Sequence, residues 1–128
     1  MKNLKICLAD DDSDDRELFQ EALIDLDATS ELMLFKDGSE VITALPKIRY
    51  VPDFLFLDLN MPIMDGRDTL VKIRKNHRYD PLFVVIYSTS AAARDIKDCM
   101  QLGANGYLVK PTSFKALKAG IADILKVN

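Results

Sequence analysis

The sequence predicts an α/β fold: one parallel sheet of five strands, doubly wound, with helices on both faces. Three observations predict it. Short apolar runs alternate strictly with longer amphipathic stretches, five of each, the pattern of strand–helix–strand units joined by right-handed crossovers. The runs Phe54–Leu57 and Leu82–Tyr87 are continuously apolar, as strands covered on both faces must be. A chain of 128 residues can bury such a core as one domain.

The elements follow in order. Leu4–Ala9 reads as a buried strand with one lysine, Lys5, near its start. Ser13–Asp27 is a helix, with Leu18, Phe19, Ala22, Leu23 and Leu26 on one face at helical spacing. Leu32–Phe35 is a short strand, and Asp37-Gly38-Ser39 is a turn that also caps a helix. That helix runs from Ser39 to Leu45, where Pro46 distorts or ends it. Phe54–Leu57 is the third strand, and Asp65-Gly66 opens a helix to about Asn76. Pro81 precedes the fourth strand, Leu82–Tyr87. Ala91–Leu102 is a helix with Ala92, Ile96, Cys99 and Met100 inward, stopped by Gly103. Gly106–Val109 is a strand ended by Pro111. Ser113–Lys126 is the last helix, with Phe114, Leu117, Ile121, Ile124 and Leu125 as its apolar stripe.

Composition excludes several classes. Apolar residues make 48% and charged residues 29% of the chain, ordinary for a globular protein. The net charge of −3 supplies no basic field to recruit nucleic acid, so no direct DNA binding is expected. Two cysteines, Cys7 in a strand and Cys99 in a helix, form neither a disulfide framework nor a zinc site and read as buried thiols. No signal peptide or membrane-spanning run is seen, so the expected location is cytoplasmic. No repeat or linker interrupts residues 1–128, and the expectation is a single domain with no output domain.

The most informative junction is Asp10-Asp11-Asp12, directly after the first strand. Adjacent carboxylates raise each other's pKa, and a hard divalent cation relieves that, since Mg²⁺ prefers carboxylate oxygens, waters and phosphate. Helix capping accounts for Asp12 to Asp15 well, and for Asp10 and Asp11 poorly. In an open α/β sheet, ligands bind beyond the carboxyl ends of the strands. The first strand delivers Asp10 and Asp11 to that edge, the third Asp58, the fourth Ser88 and the fifth Lys110. This set suits phosphoryl transfer to a carboxylate. Asp58 serves as nucleophile, Mg²⁺ between Asp11 and Asp58 neutralises phosphoryl charge, and Lys110 is a fixed point charge on a phosphate oxygen. Ser88 is placed to bond another oxygen.

With these pieces the chain resembles the receiver domain of two-component response regulators. They are Asp10-Asp11, Phe56-Leu57-Asp58-Leu59-Asn60-Met61-Pro62 followed by Asp65-Gly66, Ser88 after its strand, and Gly103-Ala104 leading to Tyr107-Leu108-Val109-Lys110-Pro111. The resemblance covers essentially the whole chain. It implies a flavodoxin-like sheet in strand order 2-1-3-4-5, an order taken over with the family. It implies Asp58 as phosphoacceptor, with Mg²⁺ held by the side chains of Asp11 and Asp58 and the backbone carbonyl of Asn60, and by Asp10 through water. Ser88 becomes the switch hydroxyl, Lys110 the phosphate-binding lysine and Tyr107 the rotameric aromatic, and Lys110-Pro111 takes a cis peptide bond. The chain is then a stand-alone signalling switch, not an enzyme acting on external substrates, though it catalyses its own phosphorylation and dephosphorylation. Its phosphodonor is a sensor histidine kinase or histidine phosphotransfer protein. Output passes to a downstream protein target or onward in a phosphorelay. One departure stands out. The position after the switch hydroxyl is usually very small, and here it is Thr89, whose stiff β-branched side chain is expected to narrow access to Asp58 as part of the switch region.

Three rivals fit less well. Asp10, Asp12, Asp14 and Glu21 match an EF-hand loop in part, but Asp15 stands where that loop needs Gly and a strand precedes it. A phosphatase similar to the haloacid dehalogenase family would use Asp10 and Asp12, but Asp14 departs from its motif and there is no cap region. An FMN-binding protein needs a first loop that cradles phosphate, and an Asp-rich loop repels it. His77, the one histidine, lies in a polar stretch and reads as a solvated loop residue.

Overall fold

The computed structural model describes residues 3–27 and 29–126. Five strands form one parallel sheet: β1 Lys5–Ala9, β2 Glu31–Phe35, β3 Phe54–Leu57, β4 Phe83–Ser88 and β5 Gly106–Val109. They run in the order β2-β1-β3-β4-β5. The helices are α1 Ser13–Leu26, α2 Gly38–Ala44, α3 Gly66–Arg74, α4 Ala93–Gln101 and α5 Phe114–Lys126. Short 3-10 turns follow α2 (Leu45–Lys47) and α3 (His77–Tyr79).

Alternate strand residues point to opposite faces and build two cores. Cys7, Ala9, Leu55, Leu57, Val84 and Ile86 face α2, α3 and α4, meeting Val41, Leu70, Ile73 and Cys99. Ile6, Leu8, Phe54, Phe56, Val85 and Tyr87 face α1 and α5, meeting Phe19, Leu23, Leu117 and Ile121. On this second face Phe19 packs edge-on to Phe56 and Tyr87, with ring centroids 4.9 and 5.7 Å apart. Such pairs each add roughly 1 kcal/mol beyond their buried area.

Carboxylates start three of the helices. Asp12 accepts from the N–H groups of Asp14 and Asp15, Asp37 from Glu40, and Asp65 from Asp68. Each satisfies donors that a helix N-terminus leaves open. Pro46 converts the end of α2 into a 3-10 turn, because it lacks the N–H that a further α-helical turn would need. Gly103 ends the α4 segment at φ +110°, with the Ala104 N–H returning to the Cys99 carbonyl, a conformation that favours glycine.

Several expected inward residues are not inward. Leu18 is 45% exposed and Met100 42% exposed, and Ala92 is exposed as well. Leu18 lies on the flank of α1 beside the cleft leading to Phe114, itself partly exposed. α4 buries Cys99 alone, so its predicted stripe is too wide. α3 ends at Arg74, two residues before Asn76, because Asn76 turns to accept from the Arg78 N–H and starts the 3-10 turn. No cis peptide bond occurs among the described residues. Lys110–Pro111 is therefore trans, the isomer that an X–Pro bond favours by about 0.5–1 kcal/mol.

Candidate functional site at the carboxyl edge of the sheet

Register brings the site together. Ala9 lies opposite Leu57, Leu57 opposite Ile86, and Ser88 opposite Val109. One step beyond these pairs lie Asp10, Asp58 and Lys110. The Asp58 N–H donates to the Ala9 carbonyl at 3.0 Å, and the Lys110 N–H to the Ser88 carbonyl at 2.7 Å. Backbone ladders thus set the separation of the acidic and basic groups before any side chain contributes.

Asp10 is fully buried and Asp58 is 5% exposed, whereas Asp11 is exposed. One carboxylate oxygen from each of the three lies within 4.8 Å of the others. Asp10 Oδ1 accepts from the Asp12 N–H at 3.0 Å. Its Oδ2 lies 2.8 Å from Lys110 Nζ, a charge contact whose angle falls outside hydrogen-bond geometry. Lys110 also donates to Asp15 Oδ2 at 2.9 Å and to Asp58 Oδ2 at 3.4 Å. Its ammonium sits 5.2 Å from the centre of the Tyr87 ring. The Asn60 N–H donates to Asp58 Oδ1 at 3.3 Å. One cation therefore meets three carboxylates, with Asp11 beside them.

The electrostatics follow from that imbalance. Burial first, and Asp10 after it, push the Asp58 carboxyl up to about 6, against the pull of Lys110. Burial also raises Asp10, outweighing its contacts with Lys110 and Asp12. Lys110 is held well above the usual lysine range: burial opposes its charge, and the contacts with the Asp10 and Asp15 carboxylates more than restore it. Under-neutralised oxygen donors in a cluster suit a hard cation such as Mg²⁺. The residues present fit that group: all the donors are oxygens, and two of the three carboxylates are buried and short of positive charge.

Ser88 is fully buried, and its Oγ accepts from the Ser90 N–H at 3.1 Å. Tyr107 is half-buried, and its hydroxyl donates to the Ser90 carbonyl at 2.8 Å. Thr89, between Ser88 and Ser90, is exposed. Gly66 completes the floor: a Cβ there would lie 2.2 Å from the Asp58 carbonyl oxygen, so only glycine lets α3 start against the backbone of Asp58. The Asp12 carboxylate caps α1 and is not among the clustered carboxylates, whereas the dehalogenase-like reading requires it to pair with that of Asp10. His77 lies outside the site, with a side chain 90% exposed and 3.3 Å from Asp80.

Two neighbours of the site carry little signal in the sequence. Asp15 reads as a first-turn helix acid, yet its carboxylate is a direct partner of Lys110. Tyr87 reads as strand core, yet its ring lies under the ammonium. A first-turn position directly above the strand edge is the only signal for Asp15, and nothing in the sequence marks Tyr87.

Residues 6–122 match the family model described as the response regulator receiver domain. Chemotaxis protein CheY of Pseudomonas aeruginosa is 35% identical over 124 residues, covering 96% of this chain and 97% of that protein. Chemotaxis protein CheY-3 of Vibrio cholerae is 33% identical over 126 residues, covering 98% and 94%. Among solved structures, the phosphorylated cyanobacterial phytochrome response regulator RcpA superposes with a TM-score of 0.88 at 31% identity, covering 97% of this chain and 92% of that one. Chemotaxis response regulator CheY4 of Vibrio cholerae gives 0.84 at 25% identity, covering 99% and 100%. With the sheet order, the acidic edge and a match that runs through nearly every element, this chain belongs to the family of response regulator receiver domains.

Proposed function

We propose that the chain is a single-domain signalling switch that accepts a phosphoryl group on Asp58 from a phosphohistidine donor and passes the signal on by protein contacts or onward transfer. The observation that carries this reading is the meeting of Asp10, Asp58 and Lys110 at one edge, with Asp11 beside them. In the transfer step a P–O bond forms to an Asp58 carboxylate oxygen. The donor P–N bond breaks, and its electron pair stays on the imidazole nitrogen. Lys110 supplies a fixed positive charge to a phosphoryl oxygen. Mg²⁺ would be held by Asp11, Asp58 and the Asn60 carbonyl, with Asp10 behind, and when bound it supplies charge neutralisation. Ser88 and Tyr107 are the switch pair, a hydroxyl for a phosphoryl oxygen and a ring coupled to it through Ser90. Thr89, exposed at the rim, limits the approach of small donors.

Labelling with acetyl phosphate and Mg²⁺ tests the set together. The parent should gain one phosphoryl group. Asp58→Asn should gain none, Ser88→Ala should still label, and Thr89→Ala should label faster. A tenfold rate change needs only about 1.4 kcal/mol of barrier, so a modest steric effect at Thr89 is measurable. Equal labelling of Asp58→Asn, or labelling that survives chelation, would sink the phosphoacceptor assignment.

A further inference from the structure

α4 starts without a cap of its own. Its N-cap is Ala92, which makes no side-chain cap hydrogen bond, and of its nine residues only Cys99 is buried. A helix so lightly buried opens easily, so contacts outside its apolar face decide where it begins. Ser90 Oγ accepts from the Ala92 N–H at 3.2 Å and donates to Asp95 Oδ2 at 2.5 Å. Asp95 Oδ1 accepts from an Arg67 guanidinium nitrogen at 2.7 Å. Arg67 follows Gly66, whose N–H donates to the carbonyl of Leu59, the residue after Asp58. This polar chain therefore runs from backbone beside Asp58, through the first turn of α3, to the loop after β4.

Ser90 holds the other end on three atoms. Its N–H donates to Ser88 Oγ, its carbonyl accepts from the Tyr107 hydroxyl, and its own hydroxyl is taken by Asp95 and Ala92. Ser90 cannot shift without carrying the Ser88 hydroxyl and the Tyr107 ring with it. We propose that Arg67 and Asp95 are positioning residues that act through Ser90 to hold the β4–α4 loop with the Tyr107 ring docked, and so pre-organise Ser88 for a phosphoryl group on Asp58. This deepens the phosphoacceptor reading and rests on it for the identity of the ligand. The Ser90 hydroxyl first, and then Arg67, hold the Asp95 carboxyl below the usual carboxylate range, which keeps it charged as the tie requires. A ligand that needs the docked loop binds in proportion to the fraction of molecules that already have it.

The test uses the full chain with 3-fluorotyrosine in place of its four tyrosines, and fluorine NMR. The Tyr107 resonance is the one lost in Tyr107→Phe. Without ligand, Arg67→Met, Asp95→Asn and Ser90→Ala should each move it toward the position of an exposed tyrosine. Arg67→Lys, which keeps the charge, should return it most of the way. Titration with beryllofluoride and Mg²⁺ should show midpoints raised about three- to tenfold in the first three variants, the span of the net contribution of a single hydrogen bond. Arg67→Lys should stay near the parent. Cys99 separates positioning from unfolding: its reaction with a thiol reagent should remain as slow as in the parent. An unmoved Tyr107 resonance in all three variants overturns the proposal, and so does a Cys99 that becomes reactive in step with the shift. A parent that ignores beryllofluoride defeats the phosphoacceptor reading instead, and the ligand-free spectra still decide whether the tie exists.

Discussion

Asp58, directly after β3, is almost wholly buried, and its carboxyl holds a proton up to about pH 6, against 3.8 for the free group. The sign of the resulting pH dependence follows from proton counts. Between about pH 4 and 6 the unfolded chain has lost this proton and the folded chain retains it, so folding stability falls as pH rises through that window. A shift of about two units corresponds to roughly 3 kcal/mol. Lys110 acts in a different range: its raised pKa contributes stability that is fully present below the unfolded lysine value and lost only above it. In chelator, Asp58→Asn should therefore be more stable than the parent at pH 7, by at most about 3 kcal/mol, with the gap closing below pH 4. Added Mg²⁺ should stabilise the parent and not the variant. Urea titrations across pH measure this. A variant less stable than the parent at pH 7 would mean that Lys110 dominates Asp58, contrary to the burial argument.

Among the connecting elements, the loop from β3 to α3 carries visible strain. Ile63 has φ +67° and is 85% exposed, while the N–H of Met64 returns to the Pro62 carbonyl at 2.7 Å. A three-residue turn of this hand is rare, and a β-branched residue at its centre is a genuine outlier. The strain is held from both sides: the Gly38 N–H donates to the Met64 carbonyl, and Gly66 donates to Leu59. Ile63→Gly should remove it, stabilising the fold by on the order of 1 kcal/mol after the extra chain entropy of glycine is subtracted. Ile63→Val, with the same branching, should change little. Thermal unfolding distinguishes the two, and a destabilised glycine variant would show that Ile63 makes up its strain through contacts not evident on an exposed side chain.

For the whole molecule, stability is distributed from the inside out. β1, β3 and β4 are bonded on both edges and covered on both faces, so their amides exchange only on global unfolding. α1 and α5 share the aromatic-rich face, while α4 has one buried residue and a borrowed cap. Native-state hydrogen exchange should find α4 opening first among the helices and the central strands last. Equal protection of α4 and α3 would contradict this order. α4, with its single buried residue, borders the loop that links Ser88 to Tyr107, so its early opening would place movement next to the site.

Much of this was legible in the sequence, because its signals are local. β3 and β5 match their apolar runs residue for residue, and the alternation of strand and helix leaves little but a parallel sheet. The pieces of the site sit at strand ends, so Asp10, Asp58, Ser88 and Lys110 could be listed together once the strands were placed. Asp15 beneath Lys110, Tyr87 against the ammonium and Arg67 on Asp95 could not. Their partners lie 95, 23 and 28 residues away along the chain, and helical or strand periodicity says nothing across such distances. The exposure of Leu18 and Met100, the trans Lys110–Pro111 bond and the strained Ile63 were likewise decided by packing. A periodic stripe states which side of a helix is apolar, and only the neighbouring elements determine how much of that side is covered.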